Sequence, residues 1–140
     1  MPHDGRTKCS IMNSLYPHLN SICLKGDIYW VELGPPKGSE SGYRHPFVVI
    51  QNNVFNASRI NTVVICALTT NLKRSQAPGN VTLDKGEANL AKKSVVNISQ
   101  ILTIDKAVLK NKIGSLSSKK TNKIIEGIKL LVEPFPDPRS

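Results

Sequence analysis

Short apolar runs alternate along the chain with polar stretches rich in glycine and proline, a pattern typical of short strands. Alternating apolar and polar side chains after Gly26 predict a first strand, which ends at Gly34-Pro35-Pro36. Its two faces hold Tyr29, Val31 and Leu33 on one side and Ile28, Trp30 and Glu32 on the other. The polar, glycine-containing segment 37–42 then predicts a mobile loop.

Two later runs, Phe47–Ile50 and Val63–Leu68, are apolar at consecutive positions, which predicts central strands covered on both faces. The asparagine-containing segment 51–56 between them predicts a turn, with a polar recognition element as the alternative. Residues 81–83 predict a further strand, and residues 94–104 predict either two short strands or one bent strand. We expect Trp30 and Phe47 to lie in the core.

The last element has helical rather than strand periodicity, with Ser117 as its expected N-cap. Its apolar positions are Ile124, Ile125, Ile128, Leu131 and Val132. Gly127 within this helix indicates a close packing contact, since glycine otherwise weakens a helix. The predicted class is therefore α+β, mainly β: a small barrel with a C-terminal helix.

The 140 residues, 39% of them hydrophobic, suit one compact domain. We predict this domain over residues 26–133, after a poorly ordered extension over 1–25 and before a proline-rich tail over 134–140. Met12 is an alternative start. Polar residues interrupt any signal-peptide core near the N-terminus, and no apolar run approaches the roughly 20 residues needed to span a bilayer. We therefore expect a cytoplasmic protein.

The net charge of +9 favours a polyanionic partner, either nucleic acid or an acidic protein segment, over a merely soluble basic surface. Cys9, Cys23 and Cys66 form no CxxC pair, and the usual nucleotide, dinucleotide, zinc-protease and serine-hydrolase motifs do not occur. We expect no metal and no cofactor. Such a chain can still cleave RNA, because the substrate supplies its own 2′-hydroxyl nucleophile and the protein needs acid, base and charge-stabilising groups.

Several stretches resemble the MazF/PemK toxin family over about residues 25–132. They are Gly26-Asp27-Ile28-Tyr29-Trp30, Gly38-Ser39-Glu40-Ser41-Gly42-Tyr43-Arg44, Pro46–Asn52, Leu68-Thr69, Ser94–Asn97, Gln100 and Thr103–Lys106. The resemblance implies a homodimeric SH3-like barrel of the MazF/CcdB type. It also implies a metal-independent, sequence-specific endoribonuclease that leaves a 2′,3′-cyclic phosphate and a 5′-hydroxyl. A cognate antitoxin with an acidic, partly disordered segment would inhibit it along the groove for single-stranded RNA.

The resemblance also implies site residues. Thr69 matches the family's catalytic threonine and Ser39 its loop serine, but His45 stands where the family has a catalytic arginine. Arg44 precedes it, and adjacent residues in an extended segment point to opposite sides. We therefore take Thr69 as a transition-state stabiliser, His45 as acid or base and Arg44 as an outer phosphate contact. The expected RNA-binding residues are Ser39, Asn52, Lys73, Arg74 and Gln100.

Two other functions stay open at this point. Because a neutral imidazole stabilises a phosphate less than arginine does, the chain is alternatively an impaired toxin that binds antitoxin or RNA without cleaving. A topoisomerase poison of the CcdB branch is a remoter alternative, since the segment around Ser39 and Leu68-Thr69 match the RNA-cleaving branch.

Overall fold

The structure, a computed structural model, describes residues 22–34, 44–134 and 139. Its main element is one antiparallel six-stranded sheet with the strand order β4-β5-β3-β2-β1-β6. The strands are β1 (Asp27–Glu32), β2 (Arg44–Val49), β3 (Thr62–Thr69), β4 (Val81–Leu83), β5 (Ser94–Asp105) and β6 (Asn111–Ser115). Two α-helices, α1 (Asn53–Asn56) and α2 (Ser118–Val132), accompany 3₁₀ turns at Leu72–Gln76, Glu87–Asn89 and Lys106–Val108.

The prediction that β2 and β3 are central is confirmed, since they occupy the middle of the sheet. Their consecutive apolar side chains supply both faces. Val48, Cys66 and Leu68 belong to a core cluster completed by β4, β5 and α2. Phe47, Val49 and Ile65 belong to a second cluster on the opposite face, together with Val31 of β1. Phe47 is buried as expected.

The sheet curls into a half-barrel, which confirms the predicted mainly β fold with a C-terminal helix. β4 and β6 form the two edges of the sheet. The 3₁₀ turn that follows β4 reaches the opposite edge, where Asn89 Nδ2 donates to the carbonyl of Ile113 in β6 at 3.1 Å. At this contact Gly114 packs against the backbone of Ala88 so closely that a side chain would not fit. The curled sheet encloses the first core cluster, and α2 packs against β4 and β5.

Helix α2 begins where the sequence predicts, with Ser117 Oγ accepting from the Lys120 backbone N–H at 3.2 Å. Ile124 and Ile128 pack on the core. Leu131 and Val132 continue the apolar pattern of the helix, but they are 46% and 69% exposed. The core contacts of the helix end near Ile128, so its last turn extends past the packed part of the sheet.

One sequence expectation needs correction, and one strand has no counterpart in the sequence prediction. Trp30 is 37% exposed rather than buried, because it lies toward the end of β1, outside the core residues that α2 covers. Strand β6 was not predicted, since Ile113 is its only large apolar residue and its pattern has no strand period.

The alternatives for residues 94–104 resolve into one strand, β5, whose register against β3 shifts between the pairs Cys66↔Ile101 and Leu68↔Val96. The predicted N-terminal extension up to residue 21, Met12, the loop 37–42 and most of the proline-rich tail lie outside the described residues. Within the part of the chain that is described, no helix is long and apolar enough to cross a membrane.

Candidate active site

One end of the sheet carries most of the predicted site. Here β1 and β3 end while β2 and β5 begin, as the register pairs Glu32↔Arg44 and Thr69↔Val95 show. We call this end the rim. The opposite end holds α1 and the start of β3.

His45 and Thr69 share one face of the rim. The antiparallel register of β2 and β3 pairs Phe47 with Ala67. Two residues further along each strand, on the same face, stand His45 and Thr69. Both side chains are half-buried. Strand alternation therefore places the two principal candidates on one face of the sheet, two residues beyond the last β2–β3 register pair, Phe47↔Ala67.

The Thr69 hydroxyl is held by the turn that follows β3. Its Oγ1 accepts a hydrogen bond from the Asn71 backbone N–H at 3.1 Å. This bond occupies a lone pair and leaves the hydroxyl hydrogen available to donate to a phosphate oxygen. The contact that a structural role for threonine would require is thus present, and it leaves the hydroxyl hydrogen free to donate.

Lys73 and Arg74 follow directly in the 3₁₀ turn Leu72–Gln76, and both are exposed. Asn71 caps this turn, since its Oδ1 accepts from the Lys73 N–H at 3.2 Å. Asn80 Nδ2 donates to the carbonyl of Arg74 at 2.8 Å. These bonds hold two cationic side chains on a short turn that begins within three residues of Thr69.

Arg44 lies on the other face of the sheet from His45. Its guanidinium carbon lies 4.8 Å from the centroid of the Trp30 ring. Trp30 pairs with Pro46 and Glu32 pairs with Arg44, so these side chains share a face that His45 does not. Arg44 belongs to the rim, but it lies on the face of the sheet opposite to that of His45 and Thr69.

Gln100 is exposed in the part of β5 where the register against β3 shifts. A polar network supports this irregular stretch. Asn80 Oδ1 accepts from the Ile98 N–H at 3.0 Å, and Ser99 Oγ donates to Asn97 Oδ1 at 3.0 Å. Because Asn80 also bonds the turn bearing Arg74, the stretch containing Gln100 is connected to the loop that follows Thr69.

Asn52 is separated from the other candidates. It caps α1, accepting from the Val54 N–H at 2.8 Å, at the end of the sheet opposite the rim. β2 ends at Val49, and Asn52 lies beyond it, whereas His45 lies near the start of the strand. The neighbouring Asn56 is buried and bonded to Gln51 and Asn53, as the predicted turn requires. Ser39 lies outside the described residues.

The structure adds two cations that the sequence analysis did not select. Lys92 and Lys93 are exposed and immediately precede β5, whose Val95 pairs with Thr69. They therefore lie at the rim. The adjacent lysines before a predicted strand were visible in the sequence, but only the pairing of β3 with β5 places them near Thr69.

Other lysines of the C-terminal half are engaged away from the site. Lys106 Nζ donates to the carbonyls of Phe55, Asn56 and Ser58 at 3.1–3.2 Å, beside α1. Lys112 Nζ lies 3.4 Å from the buried Asp27 carboxylate, and Lys120 Nζ lies 3.5 Å from Glu87. These contacts stabilise the fold.

Two thiols and a phenol titrate abnormally but lie within the packed core. Burial raises the pKa of Cys66 to about 12 and also raises the pKa values of Cys23 and Tyr29. The Cys66 thiol donates to the carbonyl of Asn97 at 3.1 Å. No cluster of three or more His, Cys, Asp or Glu residues suited to a metal ion occurs among the residues that the structure describes.

Comparison with known proteins identifies the family. A family model described as the PemK-like, MazF-like toxin of type II toxin-antitoxin systems matches residues 24–132. The chain belongs to this family. Endoribonuclease MazF6 of Mycobacterium tuberculosis is 35% identical over 112 residues, covering 80% of this chain and 98% of that protein. Endoribonuclease MazF of Staphylococcus saprophyticus is 38% identical over 104 residues, covering 74% of this chain and 86% of its own length.

Solved structures of PemK-like, MazF-like toxins have the same fold. A mycobacterial endoribonuclease in complex with its cognate antitoxin superposes with a TM-score of 0.65 at 27% identity, covering 81% of this chain and 99% of that one. MazF from Deinococcus radiodurans has a TM-score of 0.64 at 20% identity, covering 82% of this chain and all of its own, and supports the fold alone. The family resemblance noted in the sequence is confirmed.

Proposed function

We propose that this chain is a toxin that cleaves single-stranded RNA at a specific sequence without a metal ion, and that a cognate antitoxin inhibits it. The observation that carries the proposal is the shared face of His45 and Thr69 at the rim. The relatives named above are endoribonucleases, which fits RNA as the substrate.

The proposed reaction uses the RNA's own nucleophile. The 2′-oxygen attacks the adjacent phosphorus, the bond from phosphorus to the 5′-oxygen breaks, and the products are a 2′,3′-cyclic phosphate and a 5′-hydroxyl. One proton leaves the 2′-hydroxyl and one reaches the departing 5′-oxygen. His45 suits either transfer, since an imidazole can act as a general base or a general acid.

Thr69 would act on the charge that develops on the phosphate. Its hydroxyl already accepts from the Asn71 N–H and has a hydrogen to donate to a non-bridging oxygen. Lys73 and Arg74, with Lys92 and Lys93, add positive potential at the same end of the sheet. Gln100 and Ser39 are the candidates for base recognition, and Asn52 would contact RNA only if the strand extended across to the opposite end.

The proposal includes two protein partners. The solved complex of a mycobacterial relative with its cognate antitoxin supports an antitoxin for this chain as well. An acidic antitoxin segment would compete with RNA for the rim cations, because both ligands are anionic. A homodimer is part of the same proposal, and sedimentation equilibrium of the purified chain tests it.

The decisive experiment is incubation with a long, weakly structured RNA in EDTA, followed by sequencing of the new 5′ ends. We expect discrete cuts at one short motif. Thr69→Ala should lower kcat about 10²- to 10³-fold while RNA affinity changes far less, because the hydroxyl acts mainly in the transition state.

Thr62→Ala is the matched control, since Thr62 lies exposed at the other end of β3, away from the rim. It should cleave like the parent. Intact RNA from a folded protein would contradict the proposal and favour a binding module. Equal losses of affinity and turnover in Thr69→Ala would limit Thr69 to a binding role.

A further inference from the structure

The chain contains a single tryptophan, Trp30, and the fold leaves it on the surface. Its side chain is 37% exposed although its strand neighbours Tyr29 and Val31 are buried. An indole ring at the end of a strand, outside the core, contributes less to packing than its size allows. This position calls for an explanation beyond the core.

The exposed ring is paired with a cation. The Arg44 guanidinium lies over it at 4.8 Å from guanidinium carbon to ring centroid, and Arg44 is itself exposed. Glu32 is directly opposite Arg44 in the register of β1 and β2, yet within the described part of the chain no ion pair joins them. Among the described residues the guanidinium has no carboxylate partner, and its planar group lies over the indole.

The pair also lies close to the proposed reaction site. Trp30 pairs with Pro46 and Val31 with His45, so Arg44 and His45 are consecutive residues on opposite faces of the rim. A nucleic acid strand bound to His45 and Thr69 that continues across the rim would meet the Trp30 and Arg44 pair with its next nucleotides. The Trp30 and Arg44 pair is thus adjacent to His45 along β2 but lies on the other face of the rim.

We propose that Trp30 and Arg44 form a stacking platform for a base of single-stranded RNA flanking the cleaved bond, and the inference rests on the proposed function. Unpaired bases stack on aromatic rings and on arginine planes, and the arginine also binds the neighbouring phosphate. The carboxylates of an acidic peptide would pair with Arg44, but they do not stack on the indole as a base does. The net charge of +9 complements the RNA backbone.

The single tryptophan makes the platform directly observable. The wild-type protein is titrated with a fluorescently labelled, single-stranded 2′-O-methyl oligonucleotide of mixed sequence, which lacks the nucleophile and stays intact. Label anisotropy reports binding, and indole emission reports contact with Trp30. We expect the emission to be quenched over the same concentration range in which anisotropy rises.

Variants then separate stacking from charge. Trp30→Ala should weaken oligonucleotide binding roughly 5- to 150-fold, the range for loss of one stacked base, and Trp30→Phe should retain most of the affinity. Arg44→Lys keeps the charge and loses the plane, so it should fall between wild type and Arg44→Ala. Phe55→Ala is the matched control, because Phe55 is 50% exposed at the opposite end of the sheet.

The outcomes distinguish this inference from the proposed function. Anisotropy that rises without quenching, or Trp30→Ala binding like Phe55→Ala, overturns the platform even when the EDTA assay shows cleavage. Quenching by the oligonucleotide with no cleavage of ordinary RNA supports the platform and overturns the nuclease. Quenching by a polyglutamate peptide but not by the oligonucleotide assigns the pair to a protein ligand and overturns the inference.

Discussion

At the level of single residues, position 45 decides how this site differs from the arrangement that the family resemblance implies. The registers of β1, β2 and β3 put side chains 45 and 69 on one face of the sheet and side chain 44 on the other. Arg44 therefore cannot substitute for an arginine at position 45 without a change of register. In the proposed mechanism, the acid or base at this point is therefore His45 rather than Arg44.

We expect His45→Ala to lower kcat about 10²- to 10⁴-fold, as loss of a general acid or base does, with the pH dependence of kcat changing form. His45→Arg should not cleave faster than the natural chain, because a guanidinium exchanges protons far less readily than an imidazole. The measurement is single-turnover cleavage of a labelled RNA over a range of pH. A large gain in His45→Arg would instead mark the natural chain as an impaired enzyme.

At the level of elements, the contact between α2 and the loop before β4 is so close that it leaves no room for one additional carbon atom on α2. Gly127 faces the backbone of Gly79, which adopts a φ of +81°. A Cβ on residue 127 would collide with the Gly79 carbonyl, which has no flexible end to yield. Helix propensity favours alanine over glycine by about 1 kcal/mol, so propensity and packing oppose each other here.

We expect packing to win: Gly127→Ala should lower the free energy of unfolding by about 1–3 kcal/mol, as overpacking does. Urea denaturation followed by circular dichroism measures it. Asn122→Ala in the exposed part of the same helix is the control and should raise stability by a few tenths of a kcal/mol. Stabilisation in both variants would show that α2 shifts freely on the sheet.

The elements also show what a sequence can and cannot predict. β2 and β3 were predictable because consecutive apolar residues need cover on both faces, and Gly127 because a helix tolerates glycine poorly without a reason. β6 was not, because its residues have no strand period and it forms by pairing with β1. The end of the apolar face of α2 was also hidden, since it depends on how far the curled sheet extends.

The same contrast holds for the site. His45 and Thr69 belong to segments that resemble the family locally, so their selection needed no knowledge of the fold. Strand register, by contrast, decides three features that the local segments do not show. It separates Asn52 from His45 and Thr69, it places Lys92 and Lys93 at the rim, and it leaves Trp30 exposed. Register depends on pairing between distant segments, which a single sequence specifies only weakly.

Across the whole molecule, the two ends of the sheet carry different kinds of side chain and different contacts. The rim carries exposed cations, half-buried His45 and Thr69, and the Trp30 and Arg44 pair. At the opposite end, Lys106 and the asparagines around α1 bond chiefly to backbone and to one another. Stability and proposed chemistry are thus spatially separated, so variants at the rim should disturb RNA cleavage more than folding.

Three buried groups, Cys23, Tyr29 and Cys66, lead us to expect that the fold loses stability in alkali. Burial holds the pKa of Cys66 at about 12 instead of 9.0, and raises those of Cys23 and Tyr29 in the same direction. The unfolded chain therefore releases these protons at lower pH than the folded chain. Their contribution to stability is complete below about pH 9 and is lost progressively as pH rises towards the folded-state values.

We expect the free energy of unfolding, measured in urea, to fall between about pH 9 and about pH 10.5, with Cys66 alone accounting for about 2 kcal/mol. Cys66→Val keeps an apolar side chain on β3 but removes the ionisable group, so its stability should fall less over the same interval. Cys66→Val also loses the hydrogen bond from the thiol to the Asn97 carbonyl. This loss lowers the stability of the variant by the same amount at every pH below about 9, so it does not alter the comparison of the two pH profiles. Parallel pH profiles for the two proteins would show that Cys66 ionises in the folded chain as readily as in the unfolded one.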